Sequence, residues 1–449
     1  MTRMRRIALV WILLSSGISI WWGFSVGQTK NWWVDFKAVY YGTRCLLEHH
    51  NPYNVSELES VYRVEGGESP SESIPIHQAV TFNINVPTLF IFVAPFAVLP
   101  WGLANLLWLT STAGALTLAA LLVWDLGSSY APGVSLFLIC ILLANCEMIY
   151  ASGNTAGIVV SLCVVAVWCF LRERFVWAGI LCLAVSLAIK PHDAGLVWLY
   201  FLLAGAPHRK RALQSLLITA VLGLAAFLWV WHVAPHWIED WNSNLIATSS
   251  YGGINGPGLS SFNGRSAAMI IDLQAAASVF WSDPRIYNLI SYLVCGALLL
   301  VWAVRTLWVR SSTAGAWLAL AAVVPLTMLV TYHRPWDAKL LLLSVPACAM
   351  LWARGGAVGK IALWVNTAGL VLTADIPLAI LNIISAKLHV GTAGVFEKML
   401  TVVLNRPASL ILLVMGVFYL WVYLRRDSDQ ENNAALTVSA RIESIVQQN

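Results

Sequence analysis

SGNTAGIVVSLCVVAVWCFLRERFVWAGILCLAVSLAIKPHDAGLVWLYFLLAG, residues 152–205, decides the fold. An apolar run of helical length leads to a basic turn at Arg172 and Arg174, then to a second apolar run, a Lys-Pro-His-Asp break and a third run. A helix needs roughly 20 apolar residues to cross a hydrocarbon core of about 30 Å. Runs of this kind recur along nearly all of the 449 residues, which are 59% hydrophobic and 11% charged and include 23 tryptophans. That composition excludes an ordinary soluble globule. A β-barrel would show short alternating segments of about 10 residues, so helices are the spanning element. The expected fold is all-α, a polytopic integral membrane helical bundle with about 11–13 transmembrane or half-membrane helices and large outer loops.

Candidate spans fall at 7–26, 86–124 (broken at Pro95 and Pro100), 133–150, 154–171, 175–190, 194–205, 212–233, 287–309, 313–331, 338–353, 360–378 and 408–424. The opening MTRMRRIALVWILLSSGISIWWGFSVG has a basic flank like a signal peptide's, but its apolar part is long and lacks a small-x-small site, so it reads as a retained first helix. Seven of the eight cysteines lie in apolar runs, and no disulfide framework or CxxC metal site is available. The net charge of +5 resides in short basic clusters at helix ends, which set membrane orientation and do not indicate nucleic acid.

Those clusters begin at Arg3, Arg5 and Arg6, continue through Arg172, Arg209, Arg305 and Arg354, and finish at Arg425 and Arg426. With all of them cytoplasmic, both termini are cytoplasmic in a cell (inner) membrane. The first loop 27–85, the loops 233–286 and 379–406, and the TYHRPWD turn at 331–337 then share the extracytoplasmic face. The Ser-Gly-Asn turn at 152–154 and the break at 190–193 join them. Gathering polar residues on one face suits a one-sided active site. Residues 1–426 read as one transmembrane domain, and 427–449 as a polar cytoplasmic tail.

Four places carry candidate chemistry. Asp35, after Trp32 and Trp33, reads either as a partly desolvated general base or as the N-cap of an amphipathic helix from Phe36 to about Glu48. Lys190, His192 and Asp193 sit at a break within membrane depth, either facing a pathway or as a snorkelling lysine with Asp193 capping the next helix. TYHRPWDAK offers His333, Arg334, Asp337 and Lys339, and arginine's planar fork suits phosphate. SSYGGINGPGLSSFNGRSAAMI, residues 249–270, reads as a flexible connection or as an anion or sugar cradle with Arg265. No Walker A, Rossmann, HExxH or GxSxG motif has supporting context.

DFKAVYYGTRCLLEHHNPY (35–53), NVPTLFIFVAPFAVLPWGLANLLW (85–108), the stretch 152–205, SYGGINGPG and YHRPWD occur in an order that resembles the GT-C membrane glycosyltransferases. The order is most similar to glycosyltransferase family 87, polyprenyl-phosphate-mannose-dependent enzymes, over about residues 5–425. Asn154 stands where glutamine is commoner, and His49 and His50 replace a small, Gly-rich stretch.

The resemblance implies transfer of a hexosyl, in the first instance mannosyl, residue from a polyprenyl-phosphate sugar donor to a glycan or glycolipid acceptor at the extracytoplasmic face of the lipid bilayer. Asp35 would deprotonate the acceptor hydroxyl, which attacks the anomeric carbon with inversion. Lys190, His192, Arg265, His333 and Arg334 would meet the lipid phosphate. Tyr40, Tyr53, Asn154 and Asp337 would contact acceptor or sugar. No cofactor is expected; a divalent cation stays open as an alternative that no motif supports. The competing expectation is a secondary transporter or lipid flippase, which uses broken helices and buried charges too.

Overall fold

The computed structural model describes residues 3–29, 33–67, 80, 82–251, 253–258, 269–309, 312–388 and 394–425. Arg265 and the tail 427–449 lie outside the described residues. In chain order the helices are α1 (Arg3–Thr29), α2 (Val34–Leu47), α3 (Val55–Val64), α4 (Thr88–Ala97), α5 (Trp101–Ser128), α6 (Pro132–Ala144) and α7 (Glu147–Ser152). They continue as α8 (Ala156–Arg172), α9 (Val176–Ile189), α10 (Pro191–Leu203), α11 (His208–Val233), α12 (Trp237–Ser249) and α13 (Leu273–Ala277). Next come α14 (Pro284–Trp308), α15 (Thr313–Val330), a 3-10 helix (Asp337–Ser344), α16 (Val345–Arg354), α17 (Gly356–Leu372), α18 (Asp375–Lys387) and α19 (Val395–Asn405). The last is α20 (Pro407–Arg425). No strand occurs among the described residues.

Among the described residues, seven helices are long and apolar enough to cross a membrane: α1, α5, α6 with α7, α11, α14, α15 and α20. Shorter apolar helices α4, α8 and α9 fill between them. The chain is an all-α polytopic membrane protein. Its burial follows from a solvent of hydrocarbon outside the helices, where large apolar side chains are at home on the surface. α15 has 83% of its apolar window buried and forms the centre, whereas α11 has 11% and shows Leu217, Leu224 and Leu228 to the outside. α8 packs between α5 and α9, α1 lies on α6 and α7, and the 3-10 helix lies on α15.

Breaks position the site. The segment expected at 86–124 divides into α4 and α5 at Val98–Pro100, while Pro95 is accommodated inside α4. α9 ends at Ile189 and α10 begins at Pro191, because a proline lacks the N–H that would continue the ladder and is at home in a first turn. Where the sequence suggests one span over 360–378 and a loop over 379–406, α17 and α18 form a pair bent by 73°, and α19 follows. The span expected over 338–353 opens with eight residues of 3-10 helix, longer than the usual three or four.

Candidate active site

α2 starts on the end of α7. Trp33 takes a left-handed backbone (φ 37°) and donates its N–H to Ala151 O at 3.0 Å. Gly153 closes α7 with φ +69°, and a Cβ there would stand 2.6 Å from Phe36 Cβ, so both backbone and space call for glycine. Trp108 Nε1 donates to Gly153 O at 2.9 Å. The turn so fixed presents Asn154, whose Oδ1 accepts from Ala156 N at 2.8 Å and whose Nδ2 donates to Asp35 Oδ2 at 2.8 Å.

Asp35 is half-buried in the first turn of α2 and caps nothing, since the N-cap is Trp33 and makes no side-chain bond. The capping alternative is therefore overturned. Asp35 Oδ1 has no hydrogen-bond partner among the described residues. Two residues on, Lys37 is buried, and burial draws its ammonium pKa down to about 8.

The second group joins the α9/α10 break to the turn after α15. Lys190 Nζ bonds Asp337 Oδ1, and lies 3.3 Å from Asp193 Oδ2. Asp337 Oδ2 accepts the backbone N–H of Arg334 at 2.8 Å. His333 Nε2 lies 3.1 Å from Asp193 Oδ1, His192 Nε2 lies 3.8 Å from the same oxygen, and His333 Nδ1 donates to Thr331 O at 2.8 Å. The carboxylates of Asp193 and Asp337 both face the Lys190 ammonium, and Asp193 also faces the His333 ring. The lysine is turned inward, so the snorkelling alternative fails, and Asp193 makes no cap. Asp193 is the hub of this group, a part its position in a first turn did not reveal.

Arg334 is almost fully buried, stacked over Trp336 with 5.3 Å to the ring centre. Its Nη2 donates to Ile254 O at 2.6 Å and to Asn255 Oδ1 at 3.2 Å, and Tyr332 OH donates to Asn255 Oδ1 at 2.8 Å. Residues 253–258 of the Gly-rich loop are thus tied to the YHRP turn, and Ser278 Oγ also donates to Pro257 O at 2.6 Å.

Three residues expected to contact acceptor or sugar have protein partners in this structure. Tyr40 is buried against Phe36, Tyr41 and Trp101, and its hydroxyl donates to Leu99 O at 2.7 Å. Tyr53 is buried and stacked on Trp237, and its hydroxyl donates to Asn85 O at 2.7 Å. Asp337 is the buried counter-ion of Lys190. Asn154, by contrast, stands beside Asp35 as described.

A third group joins Lys339 of the TYHRPWDAK turn to two acids that no motif announces. Glu147, Lys339 and Asp375 are all buried, and Lys339 is within electrostatic reach of both acids. Among the described residues, no side-chain oxygen of Glu147 or Asp375 has a hydrogen-bond partner. A lone acid inside a long apolar stretch, as in ILLANCEMIYAS (141–152), is the signal that marks such a residue, because ionisable groups at membrane depth are costly. Asp375 opens α18 at the 73° bend and also feels Arg334, which connects this group to the second one.

The arrangement can therefore hold a carboxylate ready to take a proton, and separately a buried set of cations held by carboxylates. A family model described as glycosyltransferase family 87 matches residues 83–332. No curated protein and no solved structure matches the chain.

Proposed function

The chain belongs to glycosyltransferase family 87, which makes it a membrane glycosyltransferase with a sugar donor and an acceptor, and from that premise we propose the finer reading. The protein moves a hexosyl residue, mannosyl in the first instance, from a polyprenyl-phosphate sugar to a glycan or glycolipid acceptor at the extracytoplasmic face of the cell membrane. The observation that carries it is the half-buried Asp35, oriented through Oδ2 by Asn154 while Oδ1 stays open.

Asp35 Oδ1 takes the proton of the acceptor hydroxyl as that oxygen attacks the anomeric carbon. The bond from this carbon to the phosphate oxygen breaks on the opposite face, with inversion, and polyprenyl phosphate departs. The negative charge that develops there is met by Lys190, His333 and Arg334, with His192 at the more open edge. Arg265, in the same loop as the residues Arg334 holds, belongs to this phosphate group on the family resemblance. The two carboxylates around Lys190 keep the ammonium charged and in place, so it needs no rearrangement as charge develops.

The test is transfer by the purified protein in nanodiscs, with labelled polyprenyl-phosphate-mannose and a panel of glycan and glycolipid acceptors. Product from the wild type that collapses in a folded Asp35→Asn variant supports donor class and base together. Equal product from both keeps the transferase and removes Asp35 as base. Product only from glucose or arabinose donors corrects the sugar.

A further inference from the structure

We propose that His192 Nε2, Asp193 Oδ1 and His333 Nε2 form a binding site for one divalent transition-metal ion of zinc type. These donor atoms all lie within 4.8 Å of one another, at 3.1 Å for His333 to Asp193 and 3.8 Å for His192 to Asp193. Ligand atoms around a tetrahedral zinc, with bonds of about 2.0–2.2 Å, stand about 3.3 Å apart. His192, the most exposed of the three, is the ligand whose ring would turn to close the 3.8 Å gap toward that spacing.

A second observation points the same way. His333 and Asp193 are essentially without solvent exposure, and the contacts of the two imidazole Nε2 atoms with Asp193 Oδ1 are at ion-pair distances without the geometry of directed hydrogen bonds. Buried polar atoms are ordinarily satisfied, and a set left converging on one point calls for a partner. The surrounding contacts are those of a ligand set. His333 Nδ1 donates to Thr331 O at 2.8 Å, which fixes the ring and leaves Nε2 as the coordinating atom. Asp193 Oδ2 is steadied by Lys190 at 3.3 Å, so its Oδ1 alone faces the two rings.

Two nitrogens and one oxygen suit zinc or its neighbours over magnesium and calcium, which take oxygen. Three protein ligands leave a fourth position open, the pattern of sites where an ion meets water or substrate. Lys190 is already flanked by the carboxylates of Asp193 and Asp337, so a divalent ion beside them adds positive charge that an anion can meet. That this anion is the phosphate of a lipid-linked sugar rests on the transferase reading; the ion site itself does not.

Ion content decides the proposal. The full chain is purified without a histidine tag, stripped with chelator, and loaded with zinc or cobalt chloride, and bound metal is measured by mass spectrometry alongside the visible spectrum of the cobalt form. The expected result is one ion per chain with a four-coordinate cobalt spectrum, lost in His333→Ala and in His192→Ala, and retained in a His49→Ala/His50→Ala control. His192→Ala guards against misfolding of the fully buried His333 variant. No ion retained by the wild type, or an ion indifferent to His192→Ala, overturns the site and leaves a histidine–aspartate ion pair. Either result stands whatever the transfer assay reads, so failure here and failure of the transferase reading are separate events.

Discussion

Asn154 Nδ2 and Asp35 Oδ2 are 2.8 Å apart across 119 residues of sequence. One side chain therefore both starts α8, through Ala156 N, and orients the carboxylate proposed as base. Asn154→Ala removes a hydrogen bond to a charged group, of the order of 1.5–3 kcal/mol. The expected result is transfer reduced roughly tenfold or more in kcat, with little change in KM, and partial recovery in Asn154→Gln, which keeps the amide. A change confined to KM, or full activity in the alanine variant, removes Asn154 as a positioning residue.

Asp35→Asn keeps shape and the Asn154 neighbour while removing the proton acceptor. General-base catalysis contributes about 10²–10⁴-fold. A loss of that size, with thermal unfolding in detergent unchanged, is expected; donor binding should persist, since the phosphate group is built from other residues.

Lys190→Met strands the buried carboxylates of Asp193 and Asp337. Removing one partner of a buried pair costs about 3–5 kcal/mol. The single variant should unfold at a clearly lower temperature than the wild type, and Lys190→Met with Asp337→Leu should recover part of the loss, because apolar side chains replace a pair that burial penalised. A double variant no more stable than the single one would remove the Lys190–Asp337 contact as the cause.

Lys37 gives the pH dependence. Its pKa is lowered to about 8 by burial, against 10.5 for the free side chain. A depressed pKa means that the folded chain binds fewer protons than the unfolded one between these values, so stability rises with pH there. The contribution is complete above pH 10.5 and is lost as pH falls through about 8. Unfolding temperatures measured from pH 7 to 10 should rise in the wild type and flatten in Lys37→Met.

Gly153→Ala places a Cβ 2.6 Å from Phe36 Cβ at a φ of +69°. Strain of this kind costs about 1–3 kcal/mol. Both stability and transfer should fall, because the same turn sets Asn154; an alanine variant as stable as the wild type would show that the α2–α7 junction yields.

The membrane fold is legible in the sequence because its cause is local: apolar runs such as 212–233 and 408–424 declare their helices. The Lys-Pro break is legible for the same reason, since Pro191 cannot continue α9. The bend at Thr373–Ala374 has a local cause as well, which the expected span over 360–378 overlooks: Pro377 has no N–H to bond the Thr373 carbonyl, so one helix cannot run unbroken through it. At the site, TYHRPWD and IKPHD stand out as charge-rich, but nothing local says that Asp193 faces His333 across the bundle. Tyr40 and Tyr53 do not announce their partners, since a tyrosine's partner is a tertiary fact; here these are the carbonyls of Leu99 and Asn85. Glu147 and Asp375 stand in the sequence as single acids without a motif, although their isolation is itself the clue.

The stretch matched by the family ends at residue 332, one position before His333. Yet Lys190 and Asp193, well inside that stretch, find their counterparts in Asp337 and His333 just beyond it. A chain shortened to the matched boundary would keep Lys190 and Asp193 and lose the two residues they face, so the signature that identifies the family is shorter than the network it takes part in.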